Sequence, residues 1–176
     1  IRRALNGSFP LIVAAKNLQD EIMNPPALAK PSDLPLAEQR RTVSALKKTG
    51  VFVLGLAMQR YSEKLGDQQE LLSCVADILI DTFGAECTVL RAGQAAVDAP
   101  HSESLQTDAA CVYVNDAAGR IDTTARTALA SMANGDTLQL QLTALRRLLK
   151  FTPVDTVSMR RRLADAAVDR RGYIFR

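Results

Sequence analysis

The sequence is 176 residues long, 47% hydrophobic and 23% charged, with a formal net charge of +3. That is enough chain for one domain with a substantial core, and too apolar for a disordered one. The most apolar run, residues 51–58, falls far short of the roughly 20 residues that cross a bilayer, and no signal-peptide pattern is visible.

Residues 1–6 read as a helix end, with Gly7 as its stop, Ser8 as a cap and Pro10 in the next first turn. The chain opens on Ile, in mid-pattern, which predicts a piece of a longer polypeptide. A short helix is expected over residues 11–23. The segment NPPALAKPSDLP holds four of the seven prolines and reads as a connection or hinge. A long helix is expected over residues 36–65, because Val43, Leu46, Gly50, Val53, Ala57, Tyr61 and Leu65 recur at three- and four-residue steps. Gly66 stops it, and Asp67 with Glu70 is expected to cap the next helix, residues 68–92. After a loop over residues 93–104, a helix is expected over 105–133, with Gly135 as its stop. Leu138, Leu142, Leu145 and Leu149 then mark a further helix ended by Pro153. Asp155 caps the last helix, which stops near Gly172. No strand alternation competes. The reading is an all-α, antiparallel helical bundle of five to six helices. Residues 1–35 would lead in from a preceding domain, and residues 36–176 would form the bundle.

The helix over residues 68–92 concentrates the candidate chemistry. At about 100° per residue, Ser73, Asp77, Asp81, Gly84, Thr88 and Arg91 gather in an arc of roughly 80°. Leu71, Leu72, Val75, Ile78, Leu79, Phe83, Val89 and Leu90 occupy much of the remainder, which predicts a central helix with one wet stripe. Asp77 and Asp81 lie on that stripe. No metal site is expected, since the single His101 sits in a loop and no Glu-x-x-His accompanies the aspartates. Glu86 falls within the apolar arc, beside Leu79 and Val75. A lone buried carboxylate is costly, so it is expected to form a buried ion pair, with Arg60 or Arg126 as partner. A catalytic role for Glu86 is the weaker reading, for no nucleophile or cofactor motif stands beside it.

Other signals point the same way. Cys74, Cys87 and Cys111 are odd in number and widely spaced, which suits reduced packing thiols in a cytoplasmic setting. The run GVFVLG, Gly50 to Gly55, lacks the Lys-Ser/Thr of a phosphate loop, so its glycines are expected to permit close helix packing. From Arg146 onward nine basic residues face three acidic ones, a balance of +6 that leaves −3 for the rest. Arg160, Arg161 and Arg162 are therefore a candidate basic contact surface, although a solvated helix face is the plainer reading. No aromatic-basic RNA motif is present, and no nucleic-acid partner is expected.

Three stretches carry a resemblance over nearly the whole chain: KLGDQQELLSCVADILIDTFGAECTVLRA, RRALNGSFPL with KNLQDEI, and DTLQLQLTALRRLLKFTPVDTVSMRRRLADAAV. Together they resemble the helical region that follows the catalytic domain in bacterial acyl-CoA dehydrogenases related to the very-long-chain type. Where that family often has Tyr-Ala-Met-Glu, this chain has Phe83, Gly84, Ala85 and Glu86. The resemblance implies an FAD enzyme that converts an acyl-CoA to a trans-2-enoyl-CoA. A glutamate base and the main flavin contacts would lie upstream of Ile1, so no catalytic, cofactor-binding or metal residue carries over. For this chain it implies a domain inactive alone that packs on its own catalytic domains, in a homo-oligomer. It would be cytoplasmic, with a peripheral membrane or protein contact. The rival reading is a free-standing helical interaction or ligand-binding module with a regulatory role.

Overall fold

The computed structural model describes residues 11–23, 36–98 and 105–175. Among these are six α-helices and no strand. They are α1 (Leu11–Met23), α2 (Ala37–Tyr61), α3 (Gln69–Asp98), α4 (Leu105–Met132), α5 (Gly135–Leu148) and α6 (Thr156–Arg170), with a 3-10 helix (Ser62–Asp67) between α2 and α3. The all-α bundle expected from the 3.6-residue periodicity is the architecture found. The expectations for residues 1–6, for the Pro-rich segment 24–35 and for His101 lie outside the described residues.

The core sits between α2, α3 and α4. Leu46, Val53 and Ala57 come from α2, Val75, Ile78 and Ala85 from α3, and Val114, Ile121 and Leu129 from α4, with Leu145 closing one end from α5. Small residues let the axes approach. On α4, Ala110, Ala117, Ala118, Ala125 and Ala128 are fully buried. On α2, a Cβ at Gly50 would lie 3.3 Å from Leu79 Cδ2, and one at Gly55 would lie 3.1 Å from Ala15 Cβ. The two glycines of GVFVLG thus admit α3 and α1 to opposite flanks of α2, the close packing expected of them.

Several boundaries differ from the periodic reading. The α2 helix ends at Tyr61, where Ser62 turns to φ 46°, ψ −117°. The chain continues as 3-10 helix, which still delivers Leu65 to the core at 5% exposure. A core residue four positions after Tyr61 mimics one more α turn in the sequence. Asp67 closes this 3-10 helix, and the Gln68 carbonyl, not the expected Asp67 cap, receives the first α3 bond, from the Leu72 N–H at 3.0 Å. The α3 helix then runs through Gly93 to Asp98. Gly93 does not stop it because it serves packing: a Cβ there would meet Arg40 Nη2 at 2.6 Å. Between α4 and α5 the break is made by extended Asn134, and Gly135 begins α5 at φ 52°, a conformation that glycine takes without steric cost. Asp155 caps α6 as expected, accepting from the Val157 and Ser158 amides at 3.1 Å each.

The α3 helix differs most from its sequence reading. Leu71, Val75, Ile78, Thr82, Ala85, Val89 and Ala92 are all buried, at steps of four and three. Ser73, Ala76, Ile80, Phe83, Cys87, Leu90 and Gln94, at steps of three and four, are all exposed. Among the described residues the helix packs chiefly on α4 and α2, which makes it an edge helix there and not a central one. Phe83 is 69% exposed and Ile80 66%. Cys87 is exposed too, against the expectation that it packs.

Candidate functional site

The charged groups of α3 fall on its two borders, where it meets its neighbours. On the α4 side, Asp81 accepts both arms of Arg120, Nε to Oδ2 at 2.9 Å and Nη2 to Oδ1 at 2.6 Å. The paired carboxylate holds the Arg120 guanidinium firmly protonated, with its pKa raised by that hydrogen bond despite some desolvation. The same guanidinium lies 5.8 Å from the centre of the Tyr113 ring. Tyr113 in turn occupies the space over Gly84, where a Cβ would fall 2.2 Å from its hydroxyl oxygen. Asp77, Ile80, Asp81, Gly119, Arg120, Thr123 and Thr124 line an open crevice of about 530 Å³. The wet stripe expected through Asp77 and Asp81 is thus a charged seam, and a bidentate guanidinium bond is its strongest feature.

On the α2 side lies Glu86. It accepts from Lys47 Nζ at 2.5 Å, and the two side chains are 37% and 50% exposed. The ion pair expected at Glu86 therefore forms, but it is neither buried nor made with Arg60 or Arg126. Arg60 stacks over the Tyr61 ring at 5.6 Å, and Arg126 binds Asp122 one turn away on α4 at 2.8 Å. The wheel placed Glu86 correctly beside Val75 and Leu79. It could not show that this flank of α3 opens between helices, within reach of a lysine from α2.

The basic tail is partly consumed by the fold. Arg162 grips Asp108 through two bonds of 2.7 Å, and Arg160 binds Asp116. These contacts fasten α6 along α4, with the Val154 amide donating to Asn115 at 3.2 Å. Arg161 remains exposed. The charge asymmetry in the sequence, basic late and acidic early, is in part an internal match between two helices, through Arg160 and Arg162. Sequence reasoning missed the Arg120–Asp81, Arg160–Asp116 and Arg162–Asp108 pairs; the balance of +6 against −3 was a signal for the last two only, since Arg120 and Asp81 both lie before Arg146.

Arg120 gives two of its N–H bonds to Asp81, and the crevice beside it is lined by the Asp77 and Asp81 carboxylates and by Thr123 and Thr124. Among the described residues, no group of three or more His, Cys, Asp or Glu could hold a metal ion. The thiol of buried Cys111 is pushed upward by burial and by Asp108, which makes it a poor nucleophile. Among the same residues, no helix is long and apolar enough to cross a membrane. The fold and its charged borders define an all-α helical bundle domain.

Comparison with known proteins gives that class a family. The model of the acyl-CoA dehydrogenase C-terminal domain matches residues 45–147. A probable acyl-CoA dehydrogenase of Bacillus subtilis (strain 168) is 32% identical over 178 residues, covering 98% of this chain and 29% of the relative. The crystal structure of an acyl-CoA dehydrogenase complexed with FAD from Bacillus anthracis superposes with a TM-score of 0.87 at 32% identity. That match covers 96% of this chain and 29% of the solved one. The chain belongs to the acyl-CoA dehydrogenase C-terminal domain family, and it spans less than a third of the length of the relatives it matches.

Proposed function

We propose that this chain is the C-terminal helical domain of an FAD-dependent acyl-CoA dehydrogenase and is inactive alone. The parent polypeptide would oxidise an acyl-CoA to a trans-2-enoyl-CoA, with its catalytic base and main flavin contacts in the preceding domains. The observation that carries this reading is coverage: 96% of the chain superposes on 29% of a solved dehydrogenase that holds FAD. Residues 1–35 would connect the preceding catalytic domains to the bundle of residues 36–176. The role of α1 as a strut from that connection fits its attachment to α2 through Glu21 and Lys48 and through Ala15 against Gly55. Arg160 and Arg162 hold α6 to α4 through Asp116 and Asp108, and Arg161 lies exposed between them. The three free thiols suit a cytoplasmic setting.

The test is flavin retention. After gel filtration with excess FAD, the 176-residue chain is expected to elute without flavin absorbance. The longer polypeptide that includes the preceding domains is expected to carry one flavin per chain. Tight FAD binding by the 176-residue chain would overturn the proposal.

A further inference from the structure

Helix α6 is fastened to the bundle by its charges more than by its apolar side chains. Among the described residues, none of the 15 in α6 is buried. Met159, Leu163 and Ala166, at steps of four and three, are half-buried where the helix lies along α4. Val157 and Val168 are 56% and 73% exposed. By contrast, Leu46, Ile78 and Leu129 in α2, α3 and α4 are fully buried. The register of α6 on α4 is set by polar bonds. Arg162 gives Nε and Nη2 to Asp108 at 2.7 Å each, and Arg160 binds Asp116. In the lead-in to α6, the Val154 amide donates to Asn115 at 3.2 Å.

Two consequences follow from this mode of attachment. Elements with few buried apolar contacts open at a lower free energy than the core does. A helix of this length is marginal in water by itself, so α6 unwinds once it leaves α4, and release is a single event. The guanidinium side chains of Arg160 and Arg162 are 49% and 47% exposed, within reach of dissolved ions. Screening shortens from about 10 Å at 0.1 M salt to about 3 Å at 1 M, which weakens both anchors together. Cys111 lies one turn along α4 from each of Asp108 and Asn115, and it is only 7% exposed. Its thiol therefore stands between two of the points at which α6 and its lead-in are tied down.

We propose that α6 is a releasable strap. Held on α4 by the Arg160–Asp116 and Arg162–Asp108 pairs, it opens as one unit while the core of α2, α3 and α4 stays folded. Salt promotes the opening, and the opening uncovers the Cys111 thiol. Both sides of each anchor belong to this chain, so the strap is independent of the flavoenzyme reading.

Amide hydrogen exchange of the chain, at about 0.05 M and about 1 M NaCl, tests it. Amides of residues 159–168 are expected to exchange together, at least about tenfold faster than those of residues 71–89 in α3. High salt should speed the α6 amides by about threefold or more and leave the α3 amides unchanged. Arg162→Gln should speed them by about threefold or more at low salt, as for loss of one partly exposed ion pair. Arg161→Gln removes the same charge from the helix without touching either anchor, and should leave the exchange as it is. The α3 amides report in each case that the core is intact. In a chain carrying Cys74→Ala and Cys87→Ala, alkylation of Cys111 should quicken with salt and with Arg162→Gln in step with the α6 amides. Exchange of α6 as slow as that of α3, or confined to its last turn, would overturn the proposal. So would indifference to salt, an Arg161→Gln effect as large as that of Arg162→Gln, or a Cys111 that stays unlabelled while α6 exchanges.

Discussion

Gly84 shows how much a single hydrogen can decide. Its missing Cβ is what lets the Tyr113 ring lie across α3, because the added carbon would stand 2.2 Å from the hydroxyl oxygen and 2.8 Å from Cζ. Gly84→Ala is therefore expected to lower unfolding free energy by about 1–3 kcal/mol through overpacking. At Gly119 on α4, no atom lies within 4 Å of an added Cβ. There the same substitution should raise stability by up to about 1 kcal/mol through helix propensity alone. Urea denaturation of the two variants checks both signs. Glu86 makes the complementary point. Its pair with Lys47 is substantially open to water, so Glu86→Gln should cost no more than about 1 kcal/mol. A loss of several kcal/mol would restore the buried pair expected from the sequence. The wheel gave the direction of Glu86 from its own helix. The partner lies 39 positions earlier on another helix, where no local pattern could point.

The helices themselves were legible because each carries its period, and their caps were legible where side-chain chemistry fixes them. Asp155 is the clearest case. Its carboxylate accepts from the Ser158 hydroxyl at 2.6 Å and from the Ser158 and Val157 amides. These bonds, the Ser158 hydroxyl first, hold its pKa below the usual aspartate value. A depressed folded-state pKa contributes stability above the unfolded value and loses it as the pH falls through the folded one. Helix α6 is thus expected to fray in acid, below the ordinary aspartate range, as followed by backbone amide signals of residues 156–160. Asp155→Asn should remove that acid dependence, and an unchanged acid profile would contradict the cap. The helix ends that misled have a shared cause. The 3-10 turn at Ser62–Asp67 and the run of α3 through Gly93 both keep apolar or small residues at helical spacing. Periodicity alone therefore does not register the change of hydrogen bonding in one case or the continuation in the other. For α3 the sequence showed apolar residues nearly all round but not which side had a neighbour; the exposed Ile80–Phe83–Leu90 seam emerges only once α2 and α4 are in place.

At the scale of the molecule, α2, α3 and α4 make most of the core, with Leu65 and Leu145 added from the 3-10 helix and α5, and ion pairs tie α1 and α6 to it. Lys48 with Glu21 ties α1 to α2, while Arg160 and Arg162 tie α6 to α4. The result, among the described residues, is a bundle whose α3 leaves Ile80, Phe83 and Leu90 exposed, on a chain that corresponds to 29% of its relatives' length. No catalytic motif was legible in the sequence, and in the crevice the Arg120 guanidinium is bound by Asp81. The proposed role joins this bundle to a flavoenzyme whose chemistry resides in preceding domains. Turnover of a long-chain acyl-CoA, followed with an artificial electron acceptor, tests it most directly. The longer polypeptide is expected to form the trans-2-enoyl product while the 176-residue chain forms none. Product formation by the 176-residue chain, or its absence from the flavin-loaded longer polypeptide, would contradict the account.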